Sequence, residues 1–420
     1  MTPSDQSPSN RAWIVVALLV PVALLNYLDR QMLASMKFSV MRDIADIGLE
    51  ANWGAILALF KWVYACLSPV GGYLADRYSR RHVIVGSLLV WSSVTWMTGH
   101  VTSYDGLLAT RALMGISEAF YIPAALALIS DFHRGPTRSR AVGFHQMGIY
   151  VGVIVGGFGG YAADHPTLGW RWAFEACGIV GIAYALPLYL FLKNPDRPER
   201  PVSSRRTTPV EALRELLSNS SFILLVLYFT LPALAGWVVR DWMPAILKAE
   251  FGIGQGLAGV SATFYWQSAA IVGAIAGGWL ADRWMRTTPR GRIFTSAVGM
   301  MLIVPAMIGV GYAPQTGLLW VAVAFLILFG LGWGFFDCNN MPILCQIARP
   351  ELRATGYGIM NFVSISCGGF ADWGFGMMRD RHVPLFGIFG VFASAAVLST
   401  LLVLLIRPRE TEAGQAVAGH

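Results

Sequence analysis

Asp29, Arg30, Lys61, Arg111 and Glu118 are ionisable side chains inside stretches that are otherwise apolar. A charge at mid-bilayer costs at least about 2.5–3.5 kcal/mol, so it persists only where it is paired or faces water. Each is therefore a functional candidate. A guanidinium presents a planar fork to a carboxylate or phosphate, which suits Arg30 to docking an anion. Glu118 is a carboxyl that can be neutral or charged, the property a proton carrier needs. The competing reading is that these groups only pin helices together. Glu118 shares a helical face with Arg111, two turns earlier, and Asp29 can face the segment that carries them both.

Lys61 falls on one stripe with Leu57, Tyr64 and Ser68 at helical spacing. It either adds a second positive charge to a cavity or forms a structural pair. The second half of the chain offers mostly neutral groups: Trp266, Gln267, Asn340 and Asn361. Amides and an indole suit hydroxyls. The expectation is that the first half handles charge and the second half reads the rest of a substrate. The alternative for each is interhelical hydrogen bonding.

The elements that must position these residues are membrane helices. Of 420 residues, 55% are hydrophobic and only 13% charged, against about 25% charged in soluble domains. A bilayer core needs roughly 20 apolar residues per helix. Apolar segments run over 13–36, 51–75, 83–100, 105–130, 141–163, 171–192, 220–243, 256–281, 292–312, 317–347, 354–378 and 383–406. Helix is the only open-chain way to satisfy a backbone in lipid. The fold class expected is all-α, with twelve transmembrane helices.

The net charge of +7 does not point to nucleic acid, because the basic residues cluster in short loops between apolar segments. Alternate loops are rich in Arg: Arg77, Arg80 and Arg81; Arg134, Arg138 and Arg140; Arg283, Arg286, Arg290 and Arg292. This bias puts both termini in the cytoplasm. The polar start leads straight into an apolar stretch too long for a signal peptide. Cys66, Cys177, Cys338, Cys345 and Cys367 show no metal-ligand spacing. No nucleophile–base pair, phosphate loop or cofactor motif appears, so neither an enzyme nor a cofactor is expected.

Residues 194–219 form the one long polar linker, with Thr208, Pro209 and Glu211 arranged to start a short amphipathic helix. The linker divides the chain into six-helix halves, 1–193 and 220–420. The halves repeat: GGYLADR at 71–77 returns as GGWLADR at 277–283, and Arg140-Ala-x-Gly143 returns as Arg353-Ala-x-Gly356. Duplicated halves point to a secondary transporter with its site near the midplane.

GGYLADRYSRR at 71–81 resembles the signature loop of the major facilitator superfamily. Arg111-x-x-x-Gly115-x-x-x-Ala119 and the glycines Gly148, Gly152, Gly156, Gly157, Gly159 and Gly160 resemble its fourth and fifth helices. Asn26-Tyr27-Leu28-Asp29-Arg30, Glu118-Ala119 with Pro123, and 169–174 (GWRWAF) look like the anion:cation symporters, the sugar-acid and sialin branch. YACLSPVGGYLADRYSRR is also similar to the spinster branch, which moves lysolipids and sphingolipids.

The first resemblance implies proton-coupled symport of a small organic anion. Asp29 and Glu118 then couple protons, and Arg30, Lys61, Tyr27 and Tyr64 bind substrate. It also implies a conformational latch at Gly72, Asp76, Arg77 and Arg81, with Asp282 and Arg283 repeating it and Arg111 supporting it. The spinster resemblance implies a lipid carrier instead. Sodium is the alternative to protons. The expected partners are the anion, the coupling ion and the lipid of a bacterial inner membrane, and the protein is expected to be a monomer.

Overall fold

The computed structural model describes residues 10–133, 137–194, 209–349 and 352–408; the side chains of residues 72–76, 139, 209 and 210 also lie outside the description. All regular structure among the described residues is helical. The helices are α1 (Asn10–Ser35), α2 (Lys37–Asp43), α3 (Glu50–Arg77), α4 (Arg80–Thr98), α5 (Tyr104–Glu118), α6 (Tyr121–Phe132), α7 (Arg138–Gly157) and α8 (Gly159–Asp164). They continue as α9 (Gly169–Phe191), α10 (Pro209–Ser218), α11 (Ser220–Phe251), α12 (Gln255–Met285), α13 (Gly291–Thr316), α14 (Leu319–Ile347), α15 (Arg353–Asp380) and α16 (Leu385–Leu405).

Each of the twelve apolar segments is helical. Two are interrupted. Between α5 and α6, the chain breaks at Ala119 and Phe120. Pro123 explains this, because its ring clashes with the carbonyl four residues earlier, which is that of Ala119. Between α7 and α8 the break is at Phe158, inside the glycine run. Among the described residues, nine stretches are long and apolar enough to cross a membrane. The long helices α4, α12 and α15 are not among them, being richer in small and polar residues.

The chain forms two compact units. One holds the helices up to α9, together with 237–264 and 368–383; the other holds 204–236, 265–367 and the C-terminal segment. In the first unit, Val15, Leu19, Ile84, Leu88, Trp91, Tyr121 and Leu128 are buried together in an apolar core. Tyr121 donates its hydroxyl to the Leu19 carbonyl at 3.0 Å.

Close backbone approach sets the helix positions in this unit. A Cβ on Gly148, Gly152 or Gly156 of α7 would lie 2.7, 2.3 or 2.5 Å from the carbonyl oxygens of Val20, Leu24 and Leu28 of α1. The two stripes have the same four-residue spacing, so α1 lies along α7 with no side chain between them. Gly115 seats α5 on the Phe60 carbonyl of α3 in the same way, at 2.8 Å. Gly54 of α3 meets the Asp372 carbonyl at 2.5 Å, and Gly376 of α15 meets the Glu50 carbonyl at 2.3 Å.

Two carboxylates cap helix starts. Asp380 accepts from the amides of Glu50 and Ala51 at 2.9 and 2.8 Å. Asp164 accepts from the Gly256 amide at 3.0 Å and the Gln255 side chain at 2.9 Å. Each places negative charge at the positive end of a helix dipole. The end of α15 thus holds the start of α3, and the end of α8 holds the start of α12.

Substituting Gly152→Leu therefore destabilises the α1–α7 contact by about 1–3 kcal/mol. Thermal unfolding of the detergent-purified protein should show a melting temperature lowered by several degrees. Gly86→Ala, where a Cβ meets nothing within 4 Å, should melt like the parent. Equal melting of the two variants would contradict the packing described.

Candidate functional site

A cavity of ≈ 30 Å³ in the first unit is lined by α1, α3, α5, α7 and α11. Arg30, Lys61, Arg111 and Arg240 line it, with Tyr27 and Gln31. That volume accommodates a water molecule or so. Apolar side chains, Leu33, Ile56, Leu57, Phe60 and Val153, complete the wall.

One charged cluster centres on Arg30. Its Nε donates to Glu118 Oε2 at 2.6 Å, and its Nη2 donates to Asn26 Oδ1 at 3.1 Å. The guanidinium lies over the rings of Phe60, Tyr27 and Tyr64, at 4.5, 4.7 and 5.1 Å from their centres. This aromatic cage stabilises the cation and fixes its plane. Glu118 is fully buried, and its Oε1 has no hydrogen-bond partner among the described residues.

Asp29 points to another neighbour. It accepts from Thr95 Oγ1 at 2.9 Å and lies within the electrostatic reach of Arg111 and Arg30. Arg111 is also buried and donates to Thr98 Oγ1 at 3.2 Å. The competing reading, a Glu118–Arg111 pair, finds no hydrogen bond among the described residues: Arg30 takes Glu118, and Arg111 bonds Thr98. Adjacent helical residues project about 100° apart, which is how Asp29 and Arg30 serve different partners. Arg111 also stands in the cavity wall.

The second cluster centres on Lys61. Its ammonium donates to Oδ2 of both Asp241 and Asp372. The Lys61 nitrogen lies 4.6 Å from the Trp237 ring centre. Both readings of Lys61 hold at once, since it lines the cavity and is paired. Gln31 Nε2 donates to the Arg240 carbonyl at 2.9 Å, tying α1 to α11 between the clusters.

Asp241 and Asp372 were not expected in the site, and they correct the view that charge belongs to the first half alone. A signal was present. Arg240-Asp241 puts two ionisable residues inside α11, as Asp29-Arg30 does in α1, and Asp372 interrupts a glycine-rich apolar run. Intramembrane ionisable groups are functional candidates wherever they occur.

The remaining expected residues lie elsewhere. Trp266 is buried against Phe329 and Trp333, with ring centres 5.7 and 6.3 Å away. Gln267 and Asn340 are buried. Asn361 donates to the Tyr357 carbonyl at 3.0 Å, its own helical turn. All four belong to the second unit. Arg81 donates to the Tyr189 carbonyl and covers the Tyr189 ring at 4.5 Å. Arg77, Asp282 and Arg283 are exposed, and Arg283 stacks on Trp279 at 5.9 Å. Gly72 and Asp76 lie among the side chains outside the described residues.

A family model described as "Major Facilitator Superfamily" matches residues 19–371. Protein spinster of Drosophila melanogaster is 28% identical over 383 residues, 88% of this chain and 62% of that protein. Spinster homolog 1 of Homo sapiens is 34% identical over 256 residues, 58% of this chain and 48% of that protein. The chain thus spans about half to two thirds of these relatives. Among solved structures, a bacterial homolog of the human lysosomal transporter spinster, inward-facing and unoccupied, superposes with a TM-score of 0.76 at 21% identity, covering 95% of this chain and 96% of that one. A D-xylose-proton symporter gives 0.73 at 16% identity, covering 94% and 97%. These are folds of membrane transporters rather than enzymes. The chain is a multi-pass membrane protein and belongs to the major facilitator superfamily, with features of the spinster branch.

Proposed function

We propose that this protein is a proton-coupled carrier of an anionic amphiphile of the lysolipid type, working by alternating access. The observation that carries the reading is a balance of charge. Arg30, Lys61, Arg111 and Arg240 stand against Asp29, Glu118, Asp241 and Asp372 in and around one cavity. With every group ionised, the site is neutral and has no net pull on an anion. A proton taken up by Glu118 removes the partner of Arg30 and leaves the site positive. An anion then docks on the Arg30 fork within its aromatic cage. Proton and anion compensate each other, and the loaded site is cheaper to occlude than a half-loaded one.

Several features favour an amphiphile. Leu33, Ile56, Leu57, Phe60 and Val153 offer an apolar wall beside the cations. Relatives that match 83–88% of this chain are spinster proteins. A small organic anion, such as a sugar acid, is the second reading, favoured by a cavity too small to admit an acyl chain as it stands. Tyr27 and Tyr64 would flank either head group.

The repeated sequence and the Arg-rich loops support two six-helix halves, 1–193 and 220–420, joined by 194–219, with both termini in the cytoplasm of a bacterial cell. Gly72, Asp76, Arg77 and Arg81, with Asp282 and Arg283, would then latch the cytoplasmic side. The Asp380 and Asp164 caps would fasten the outer side. Trp266, Gln267, Asn340 and Asn361 would be reached by substrate in another conformation. Protons are the coupling ion on this reading, since paired buried carboxyls serve them directly.

Glu118→Gln should abolish accumulation driven by a pH gradient in proteoliposomes while leaving counterflow exchange; equal loss of both would contradict a coupling role. Arg30→Lys, which keeps the charge but not the fork, should weaken binding about tenfold or more; affinity equal to the parent would make the fork irrelevant. In a thermal-shift screen, a lysophospholipid should stabilise the purified protein and its water-soluble head group alone should not. The reverse order would favour the small anion.

A further inference from the structure

The Lys61 cluster holds more acid than its lysine requires. Oδ2 of Asp241 and Oδ2 of Asp372 bind the same nitrogen, so the two carboxyl groups meet at Nζ. All three groups are shielded from solvent: side-chain exposure is 3% for Lys61, 11% for Asp241 and 0% for Asp372. Two carboxylates sharing one site resist ionising together.

The second oxygen of Asp372 strengthens the point. Oδ1 is buried with no hydrogen-bond partner among the described residues. An ionised oxygen left unpaired away from water costs more than a neutral carbonyl oxygen in the same place. The cation on this pair is Lys61 of α3, and Arg30 of α1 and Arg111 of α5 line the cavity that Asp241 also lines. Tyr27 and Tyr64 are the nearby phenols beside Arg30. Arg240 adjoins Asp241 in sequence, but its guanidinium lies over the rings of Trp237 and Tyr27, at 5.1 and 5.8 Å.

From this geometry we propose that Asp241 and Asp372 form a second proton-binding site, holding one proton between their carboxyl groups on the Lys61 ammonium. The site is separate from Glu118 and joins three helices, α3, α11 and α15. Taking the proton leaves Lys61 with one anionic partner, and losing it binds both acids to the lysine. Proton occupancy here thus changes how firmly α11 and α15 are held to α3. Coupling would involve two titrating centres, one releasing Arg30 and the other acting on the helices.

The site stands beside the Glu118 reading proposed above, and infrared pH-difference spectra of the purified full-length protein separate the two without any substrate. The parent should show carboxylic-acid C=O stretching bands from buried acids. Glu118→Gln should remove one band and leave another. Asp372→Asn should remove the band that Glu118→Gln leaves, as should Asp241→Asn. Carbon-13 labelling of aspartate in an Asp29→Asn background should shift that band with no change to the Lys61 cluster, which keeps the test open if either Asn variant fails to fold. No aspartate-sensitive band in the labelled protein, or an unchanged spectrum in a folded Asp372→Asn, would overturn the second site. A spectrum in which Glu118→Gln removes no band would overturn only the first.

Discussion

A charge in a bilayer must have a partner, and the interior of this protein is arranged around that constraint. Seven ionisable groups stand close together: Arg30 pairs with Glu118, Lys61 pairs with Asp241 and Asp372, and Asp29 and Arg111 act on each other electrostatically. Removing one member of a buried pair typically costs about 3–5 kcal/mol, because the other is left uncompensated. The set therefore acts as a unit. A proton or an anion that enters changes the balance for every member, which is the physical basis for linking their movements.

The scaffold serves this cluster by removing side chains where helices meet. Gly148, Gly152 and Gly156 let α7 lie along α1 and fix the height of Asp29 and Arg30. Gly115 does the same for α5 and Glu118 against α3 and Lys61. Gly54 and Gly376 bring α15 close enough for Asp372 to reach Lys61. Small residues at membrane helix interfaces gain packing energy and also permit sliding. The contacts that assemble the charges are thus also surfaces along which helices can shift during transport.

Much of this was legible in the amino-acid sequence. Each of the twelve apolar segments is a helix, because lipid leaves the backbone no other way to pair its amides. The charged residues Asp29, Arg30, Lys61, Arg111 and Glu118 stood out by their cost, and the structure gathers them. Their pairing was not legible. Glu118 and Arg111 share a helical face, yet Arg30 from another helix takes Glu118, since distant contacts depend on how helices cross. The pairing of Asp241 and Asp372 was not legible either. As charges inside apolar stretches they carried a signal, but only the approach of α11 and α15 to α3 gives them their shared partner. The interruptions at Ala119 and Phe158 follow from Pro123 and the glycine run, signals that were visible but local to the backbone.

The central claim is that anion binding and proton uptake at the Arg30–Glu118 pair are one event. Calorimetric titration of an anion that binds, repeated in buffers of different ionisation enthalpy, counts the protons taken up per anion bound. The account predicts about one proton from the Glu118 site, with affinity falling up to about tenfold per pH unit as pH rises; in Glu118→Gln that uptake should vanish. Anion binding with no proton uptake in the parent, or with the same uptake in Glu118→Gln, would contradict it.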